Sequence, residues 1–224
     1  MKTVSKLSRK AFTLIEMLVV LLIVSVLLGV GAQVMKNATT AQGVESAVPV
    51  ADSIFAQARG LAKGSGRGAR VVIYKGGGTG EIREKHLRYM GIVRQEEDTD
   101  DFKDQLISRG VTLPAKTYFN ENLSDGFETM QVQIPGAAGA QECFYYEFNS
   151  EGILVVSSTP ASDEPHGIFV IQGGTLIPGD DTPRPLSRDN REAGGFAIWK
   201  RGNTSLFRSV NEIPGVGSGN NPTF

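Results

Sequence analysis

The sequence predicts an α+β protein in which one long N-terminal helix packs on an antiparallel β head. Three observations support this fold class. An apolar run covers residues 11–35, an apolar stripe at helical spacing follows it, and short β-branched and aromatic segments separated by turn residues fill the chain beyond Gly68. The predicted parts are a leader at 1–11, an apolar helix at 12–35, an amphipathic extension at 36–64, a β head at 65–213 and a flexible tail at 214–224.

The composition excludes several classes of protein. The chain has 224 residues, of which 40% are hydrophobic and 21% charged, and its formal net charge is -1. These values are ordinary for a globular protein and argue against a wholly disordered chain. A mean hydropathy of -0.12 argues against many membrane spans, and the balanced charge gives no electrostatic sign of nucleic-acid binding. The single cysteine, Cys143, excludes an intrachain disulfide.

The apolar helix at 12–35 is predicted to cross a membrane once. In residues 11–35, 19 of 25 residues are apolar, and about 20 such residues in a helix cross a bilayer core. Four basic residues and no acid precede this run, which places the N-terminus in the cytoplasm. A cleaved secretory signal is the alternative, since Gly29-Val30-Gly31-Ala32 could serve as its small-x-small cleavage site. Glu16 is either an acid at the membrane interface or a functional acid that awaits a cationic partner.

The amphipathic extension carries apolar residues spaced alternately by three and four positions. They are Ala41, Val44, Val48, Ala51, Phe55, Ala58 and Ala62. This stripe predicts one helix face packed on the head, and a separate coiled coil is the alternative, although its alanine-rich knobs would be weak. Three positions are weak points of the long helix. Gly29 and Gly31 each lower helix stability by about 1 kcal/mol relative to alanine, and Pro49 removes a backbone donor and predicts a kink. The glycines between Gly60 and Gly68 are expected to end the helix.

Eight segments beyond Gly68 have the composition of short strands. They are Arg70–Lys75, His86–Arg94, Glu128–Ile134, Phe144–Phe148, Ile153–Ser158, Gly167–Gln172, Phe196–Arg201 and Ser205–Val210. Residues 149–152 and 201–204 are predicted hairpin turns, and the glycines of 76–80 are interpreted as a turn, since the residues that follow them do not form a phosphate loop. The remaining predictions are a short helix over 101–109 and long loops over 114–127, 135–141 and 173–195.

The head offers no motif for catalysis or metal binding. His86 lies among basic residues, and His166 follows an acidic dipeptide, where a solvated turn is favoured over a metal pair. Cys143 is interpreted as a buried small hydrophobe. The acidic run at 96–101 lacks the glycine and spacing of a calcium loop, and residues 179–181 are a second, weaker candidate. We therefore expect no catalysis and no cofactor, with calcium as the one candidate ligand.

Residues 10–18, Lys-Ala-Phe-Thr-Leu-Ile-Glu-Met-Leu, resemble the prepilin processing motif of type IV pilins and pseudopilins. The resemblance implies that prepilin peptidase cuts between Ala11 and Phe12 on the cytoplasmic side, and that the new Phe12 amine is N-methylated. The family usually has glycine before the cut. Ala11 is the next-smallest residue, so processing is expected. The resemblance also implies that the Glu16 carboxylate of one subunit neutralises the Phe12 amine of its neighbour during filament assembly, and that the helix melts near Gly29 and Gly31 in a filament.

The head resembles the H-type minor pseudopilins of type II secretion and the related FimT-like minor pilins. The resemblance rests on residues 53–62, Ser-Ile-Phe-Ala-Gln-Ala-Arg-Gly-Leu-Ala, which lead into a valine-rich strand at 71–74. Residues 148–152 and the hairpin over 196–210 are weaker matches. The resemblance implies a pilin-like fold and a structural subunit of a type II secretion pseudopilus or a related type IV pilus-like filament.

The expected partners and location follow from the same resemblance. The partners are prepilin peptidase, other pilin or pseudopilin subunits, an inner-membrane assembly platform and membrane lipid, with no nucleic acid. The expected location is a single-pass inner-membrane protein with a periplasmic head, which assembles into a periplasmic or extracellular filament. The alternative is a single-span membrane-anchored β ectodomain that acts as a sensor or enzyme. That alternative requires a clustered catalytic constellation, which the sequence does not supply.

Overall fold

The computed structural model describes residues 14–76, 81–96, 102, 106–107, 109–157, 160–161, 164–177, 181–185 and 193–212. The chain forms two compact units, Met1–Thr39 and Thr40–Phe224. The second unit is called the head below. The fold is α+β, with an N-terminal helix and antiparallel sheets, as predicted.

The helices are α1 (Leu14–Ser65) and α2 (Glu81–Glu84), and a 3-10 turn covers Val210–Glu212. The strands are β1 (Ala69–Tyr74), β2 (Tyr89–Arg94), β3 (Val111–Thr112), β4 (Thr117–Phe119), β5 (Glu128–Gln133), β6 (Ala140–Phe148), β7 (Leu154–Val155), β8 (Gly167–Thr175), β9 (Arg184–Pro185), β10 (Ala193–Ile198) and β11 (Thr204–Phe207).

Among the described residues, the strands form two antiparallel sheets. The first has the order β3-β2-β1-β6-β5, and β7 also pairs with β6. The second has the order β11-β10-β8-β4, and β9 also pairs with β8. The longest strands, β6 and β8, each take partners on both sides, so each sheet is organised around one nine-residue strand.

The C-terminus of α1 forms where the glycines predict it. The helix ends at Ser65, and Gly66 follows with a φ of 67°, the left-handed conformation that commonly caps helices and suits glycine. The Ser65 hydroxyl donates to the Leu61 carbonyl at 2.7 Å, and Lys63 places a positive charge near the negative end of the helix dipole. The local sequence is therefore sufficient to end this helix.

The head core lies between the last part of α1 and the two sheets. The predicted stripe is buried from Val44 to Ala62, and Ala47 and Ile54 join it. At its centre, Phe55 is 1% exposed. Its ring makes edge contacts with Tyr146 and Phe148 of β6, Phe169 of β8 and Phe196 of β10. One side chain of the helix thus contacts both sheets.

Asp52 makes a polar contact between α1 and the second sheet. It is half-buried, and its carboxylate accepts a hydrogen bond from the Thr204 hydroxyl of β11 at 2.7 Å. This bond joins α1 to the edge of the second sheet across 152 residues of sequence. The helix is therefore held by a polar contact beside its apolar stripe.

The strand predicted from His86 begins only at Tyr89, and the prediction for residues 86–88 was wrong. These residues form a turn in which Leu87 has a φ of 53°, a left-handed conformation that breaks an extended strand. Leu87 is buried, its amide donates to the Tyr74 carbonyl at 2.8 Å and its carbonyl accepts from the Phe119 amide at 2.7 Å. Burial and these two bonds hold the turn in a conformation that local propensity disfavours.

The strand predicted over Ile153–Ser158 is shortened to Leu154–Val155. Val155 pairs with Glu147 of β6, so a longer β7 would next meet Tyr146 and then Tyr145. Tyr145 is already paired with Glu128 of β5. Two strands compete for the same edge of β6, and β5 occupies the larger part of it.

The predicted loops contain strands that the composition does not indicate. Thr117–Phe119 forms β4 inside the loop predicted over 114–127, and the loop predicted over 173–195 contains β9 and parts of β8 and β10. Of the helix predicted over 101–109, only residues 102, 106, 107 and 109 are described. None is helical, and Phe102 forms an antiparallel bridge with Gln95. Most of the predicted turn at 76–80 and the tail at 214–224 lie outside the described residues.

Both predicted hairpin turns are confirmed. Gly152 donates to the Asn149 carbonyl at 2.8 Å, and Gly202 donates to the Trp199 carbonyl at 2.7 Å. Each of these glycines has a φ of 72°, which a side chain would strain. A Cβ on Gly202 would also lie 2.6 Å from the Gly152 carbonyl oxygen, so the two turns pack closely against each other.

Candidate functional site

Apart from Glu16, every side chain within residues 14–24 of α1 is apolar. Ten large hydrophobic side chains within residues 14–24 are between 43% and 86% exposed. Successive helical residues point about 100° apart, so this segment, called the apolar segment below, offers no polar face. A helix that is hydrophobic all round belongs in a membrane or among other helices.

Within the described residues, no helix has both the length and the apolar character that a membrane crossing requires.

Two polar residues in this region are accommodated by the helix itself. Glu16 lies in the first turn of α1 with an exposed side chain, where a negative charge is favoured by the helix dipole. The Ser25 hydroxyl donates to the Leu21 carbonyl one turn earlier, at 2.8 Å. That bond satisfies the hydroxyl without water, as an apolar environment demands.

The other predicted positions of the N-terminal region are placed as follows. Ala11 and Phe12 lie outside the described residues. Gly29, Gly31 and Pro49 all lie within α1, and the backbone is helical at each of them. Pro49 is exposed. Melting at the two glycines was predicted for an assembled filament, and it stays a prediction.

His86, which lies in a basic stretch of the sequence, is buried. It is 4% exposed, and its Nδ1 and Nε2 lie 3.1 and 2.6 Å from the carbonyl oxygens of Gly76 and Asp181. A ring whose two nitrogens both face carbonyl oxygens links two distant segments of the chain. This role is structural, and it explains why a histidine is tolerated in the interior.

Cys143 is fully buried, as predicted for a small hydrophobe. Burial, with a smaller contribution from the Glu142 charge, raises the pKa of its thiol to about 12 even though a hydrogen bond with the Lys75 backbone opposes the shift. The reactive form of cysteine is the thiolate, so the folded protein presents an inert thiol at pH 8.

We expect iodoacetamide to alkylate Cys143 at least about 100-fold more slowly in the folded chain than in guanidinium chloride. Mass spectrometry of timed samples at pH 8 measures both rates. Asn203→Cys places a second thiol at an exposed position, and this matched variant should be labelled rapidly without denaturant. Equal rates for Cys143 in the two solvents would contradict its burial.

A cavity of about 530 Å³ opens beside β6. Its lining includes four carboxylates, Asp125, Glu128, Glu147 and Glu164, and we call it the acidic groove. Its apolar wall includes Phe127 and the 44% exposed Val155. No lysine or arginine is among the described residues that line it.

The carboxylates of the acidic groove differ in how they are held. Glu147 is paired with the Arg70 guanidinium at 2.6 Å. Glu128 accepts hydrogen bonds from the hydroxyls of Ser157 and Tyr145, which together lower the pKa of its carboxyl. Burial, together with the hydrogen bond to Glu128, raises the pKa of Tyr145 to about 12. Glu128 therefore stays ionised at neutral pH. Its pKa is lower than that of an ordinary glutamate, which is itself well below 7.

His166 lines this groove and is half-buried, where a solvated turn was predicted. Its backbone amide donates to the Ile198 carbonyl at 2.8 Å, and its buried Nδ1 has no hydrogen-bond partner among the described residues. Asp163, the acid two positions before Pro165, lies outside the described residues. Across the described residues, no group of three His, Cys, Asp or Glu side chains is arranged to hold a metal ion.

Sequence reasoning singled out two of the groove residues, His166 and its neighbour Glu164. Most of the others come from separate segments at 125–128, 145–147 and 155–157. They meet only because β5 and β7 share one edge of β6. No local spacing signals such a site.

The N-terminus carries the match with known families. Residues 6–32 match the model of the prokaryotic N-terminal methylation motif. No curated protein and no solved structure matches the chain. The matched range includes Ala11, Phe12 and Glu16, and it continues into the apolar segment. The chain therefore carries a prepilin-type N-terminal motif, which supports a type IV pilin-like subunit and is consistent with a membrane-anchored pilin.

Proposed function

We propose that the protein is a minor pseudopilin, most similar to the H type, and a structural subunit of a type II secretion pseudopilus or a related type IV pilus-like filament. The observation that carries this proposal is the methylation motif at residues 6–32, which overlaps the helical segment 14–24, where every side chain except Glu16 is apolar and the side chains are exposed. Only lipid or other apolar helices can cover such a surface, because water is a poor solvent for it.

The apolar segment has two successive environments in this proposal. Before assembly, residues 12–35 anchor the subunit in the inner membrane as a single span, with the head in the periplasm. During assembly on an inner-membrane platform, the same helix leaves lipid and packs among the helices of other subunits. Both environments are apolar, so the transfer requires little net hydrophobic free energy.

Glu16 supplies the specific contact in this packing. Prepilin peptidase cuts between Ala11 and Phe12, and methylation leaves a cationic secondary amine at Phe12. The Glu16 carboxylate of the neighbouring subunit neutralises that amine, because an unpaired charge among apolar helices is strongly unfavourable. The pairing also fixes the axial position of one subunit against the next.

The head acts as a binding and packing domain in this proposal, without catalysis, cofactor or nucleic-acid binding. The resemblance of residues 53–62 to H-type subunits supports this assignment, since this stretch contributes Ile54, Phe55, Ala58 and Ala62 to the buried face of α1. Phe55 in that stretch contacts aromatic residues of both sheets, and Ala58 belongs to the same core cluster. A folded head attached to an apolar helix is the architecture that a filament subunit needs.

N-terminal processing tests this function directly. When the full chain is produced with prepilin peptidase, we expect the mature protein to begin at Phe12 with a methylated amine, as measured by N-terminal sequencing and intact mass. The same chain produced without the peptidase is the control and should begin at its original N-terminus. A chain that remains uncleaved in the presence of the peptidase would favour the membrane-anchored sensor or enzyme instead.

A further inference from the structure

We propose that the outer edge of β5 is a dimerisation site, where the strand pairs antiparallel with β5 of a second copy of this chain. β5 is the last strand of the first sheet, in the order β3-β2-β1-β6-β5. It pairs with β6 on one side, and no other described strand pairs with it. This contact goes beyond the proposed function, because it involves the head alone and does not require a filament.

The hydrogen bonds of β6 show which backbone groups of β5 face outward. The Lys75 amide donates to the Glu142 carbonyl at 3.1 Å, so Glu142 directs its backbone groups toward β1. Gln131 of β5 lies opposite Glu142. In an antiparallel pair, residues that bond each other alternate with residues whose backbone groups point away. Gln131, and with it Thr129 and Gln133, therefore directs its N–H and C=O away from β6.

The described part of the head leaves this edge of β5 open. The strand pairs with β6 in continuous register over six residues, without a bulge. Residues 129–133, Thr-Met-Gln-Val-Gln, contain no charge and no proline, and Thr129 and Gln131 are exposed. Natural proteins usually block such an edge with lysine, proline, a bulge or a covering segment. An edge without these features is a template for another strand.

The other outer strands of the two sheets are short or partly blocked. β3 has two residues and β4 has three. In β11, the Thr204 hydroxyl bonds Asp52 of α1 at 2.7 Å, and just beyond the strand the Arg208 amide donates to the Glu212 carboxylate at 3.0 Å. Among the outer strands that the structure describes, β5 is therefore the longest and the one left open along its edge.

The sequence of β5 is self-complementary about Gln131, which favours a second copy as the occupant. In an antiparallel pairing centred there, Gln131 lies opposite its own copy, and Met130 lies opposite Val132 of the second chain. Thr129 then lies opposite Gln133. Side chains alternate between the two faces of a strand, so polar side chains meet on one face and apolar ones on the other. The same patch serves both chains, as a two-fold symmetric dimer requires.

This register also avoids charge repulsion and enlarges an apolar cluster. Glu128 lies opposite Ile134 of the second copy, so the two glutamates occupy opposite ends of the contact. Val132 and Ile134 belong to one apolar cluster of the head, and Met130 packs against it. Pairing of Met130 with Val132 therefore joins the clusters of the two heads. With three outward residues in each chain, the contact forms about six backbone hydrogen bonds.

Disulfide trapping in the full-length chain, reconstituted in phosphatidylcholine vesicles, tests both the contact and its register. Gln131→Cys places a thiol opposite its own copy, at the Cα separation of about 5.5 Å that a disulfide accepts. We expect it to give a covalent dimer on mild oxidation. Thr129→Cys is the matched control, because its thiol is exposed on the same edge but lies about 13 Å along the strand from its own copy. It should give at least about tenfold less dimer. The native Cys143 is buried.

A mixed cross-link with charges at position 131 tests the central pair. Differently tagged chains with Thr129→Cys and Gln133→Cys should form a mixed disulfide dimer, since these positions lie opposite each other. Gln131→Lys on both chains places like charges side by side and should lower the yield about tenfold. Gln131→Lys on one chain with Gln131→Glu on the other should restore it. The Gln131 backbone does not bond β6, so these exposed substitutions leave the sheet intact.

Three results would overturn the proposal. The first is a Gln131→Cys dimer that is absent or no more abundant than the Thr129→Cys dimer, which indicates random collision. The second is a mixed dimer whose yield ignores the charges at position 131. The third is a cross-link from Gln131→Cys to a different filament subunit in place of a second copy when both are present, which would assign the edge of β5 to that subunit.

Discussion

Replacing Glu16 with alanine is expected to abolish filament assembly while the chain still inserts into the membrane. Alanine is more apolar than glutamate, so the anchor is retained or strengthened. In the filament, however, the Phe12 amine of the next subunit would lose its counter-charge among apolar helices. Leaving one member of a buried ion pair alone costs about 3–5 kcal/mol, which lowers the equilibrium for subunit addition by at least about 100-fold.

Membrane extraction and filament counting measure the two parts of this prediction. Glu16→Ala should remain in the alkali-resistant membrane fraction, and electron microscopy of the assembly system should show no filaments above background. Glu45→Ala is the matched control, because Glu45 is an exposed acid on the same helix that belongs to the head. Normal filament numbers with Glu16→Ala would rule out the proposed pairing with Phe12.

Replacing Phe55 with alanine is expected to destabilise the head by about 3–5 kcal/mol, the range for large-to-small substitution of a buried aromatic residue. The ring is 1% exposed and contacts four aromatic residues at centroid distances of 5.0 to 6.2 Å. Those residues belong to β6 of the first sheet and to β8 and β10 of the second. The cavity left by alanine therefore opens at the point where the helix meets both sheets.

Denaturant unfolding of the full chain in detergent micelles measures this loss. Trp199 is the only tryptophan, so its fluorescence reports the unfolding of the head. Leu206→Ala is the control, since Leu206 is 58% exposed and its removal should change stability by less than about 1 kcal/mol. A loss for Phe55→Ala as small as that of the control would mean that the aromatic cluster contributes little to the fold.

Features that depend on neighbouring residues were predicted well. The end of α1 at Ser65, the hairpin turns at Gly152 and Gly202, and the buried stripe from Val44 to Ala62 all agree with the structure. In each case the physical signal is local. A glycine permits a positive φ, and the 3.6-residue period places every third or fourth side chain on one face.

Features that depend on residues far apart in the sequence were not predicted. Leu87 adopts a left-handed conformation because burial and bonds to Tyr74 and Phe119 hold it there. β7 ends at Val155 because Tyr145, which a longer β7 would reach, already pairs with β5. β5 lies more than twenty residues before Val155 in the sequence. Local propensity carries no information about the residues that hold Leu87 in place or about the strand that pairs with Tyr145.

The same distinction between local and long-range features applies to the candidate sites. The sequence by itself determined the prepilin-type motif, the apolar segment and Glu16, because a processing site and an apolar helix are encoded by consecutive residues. Only the tertiary structure decided the acidic groove, the burial of His86 and the bond between Asp52 and Thr204. Each of these joins segments that are far apart in the chain, and strand pairing and core packing, which are long-range interactions, bring them together.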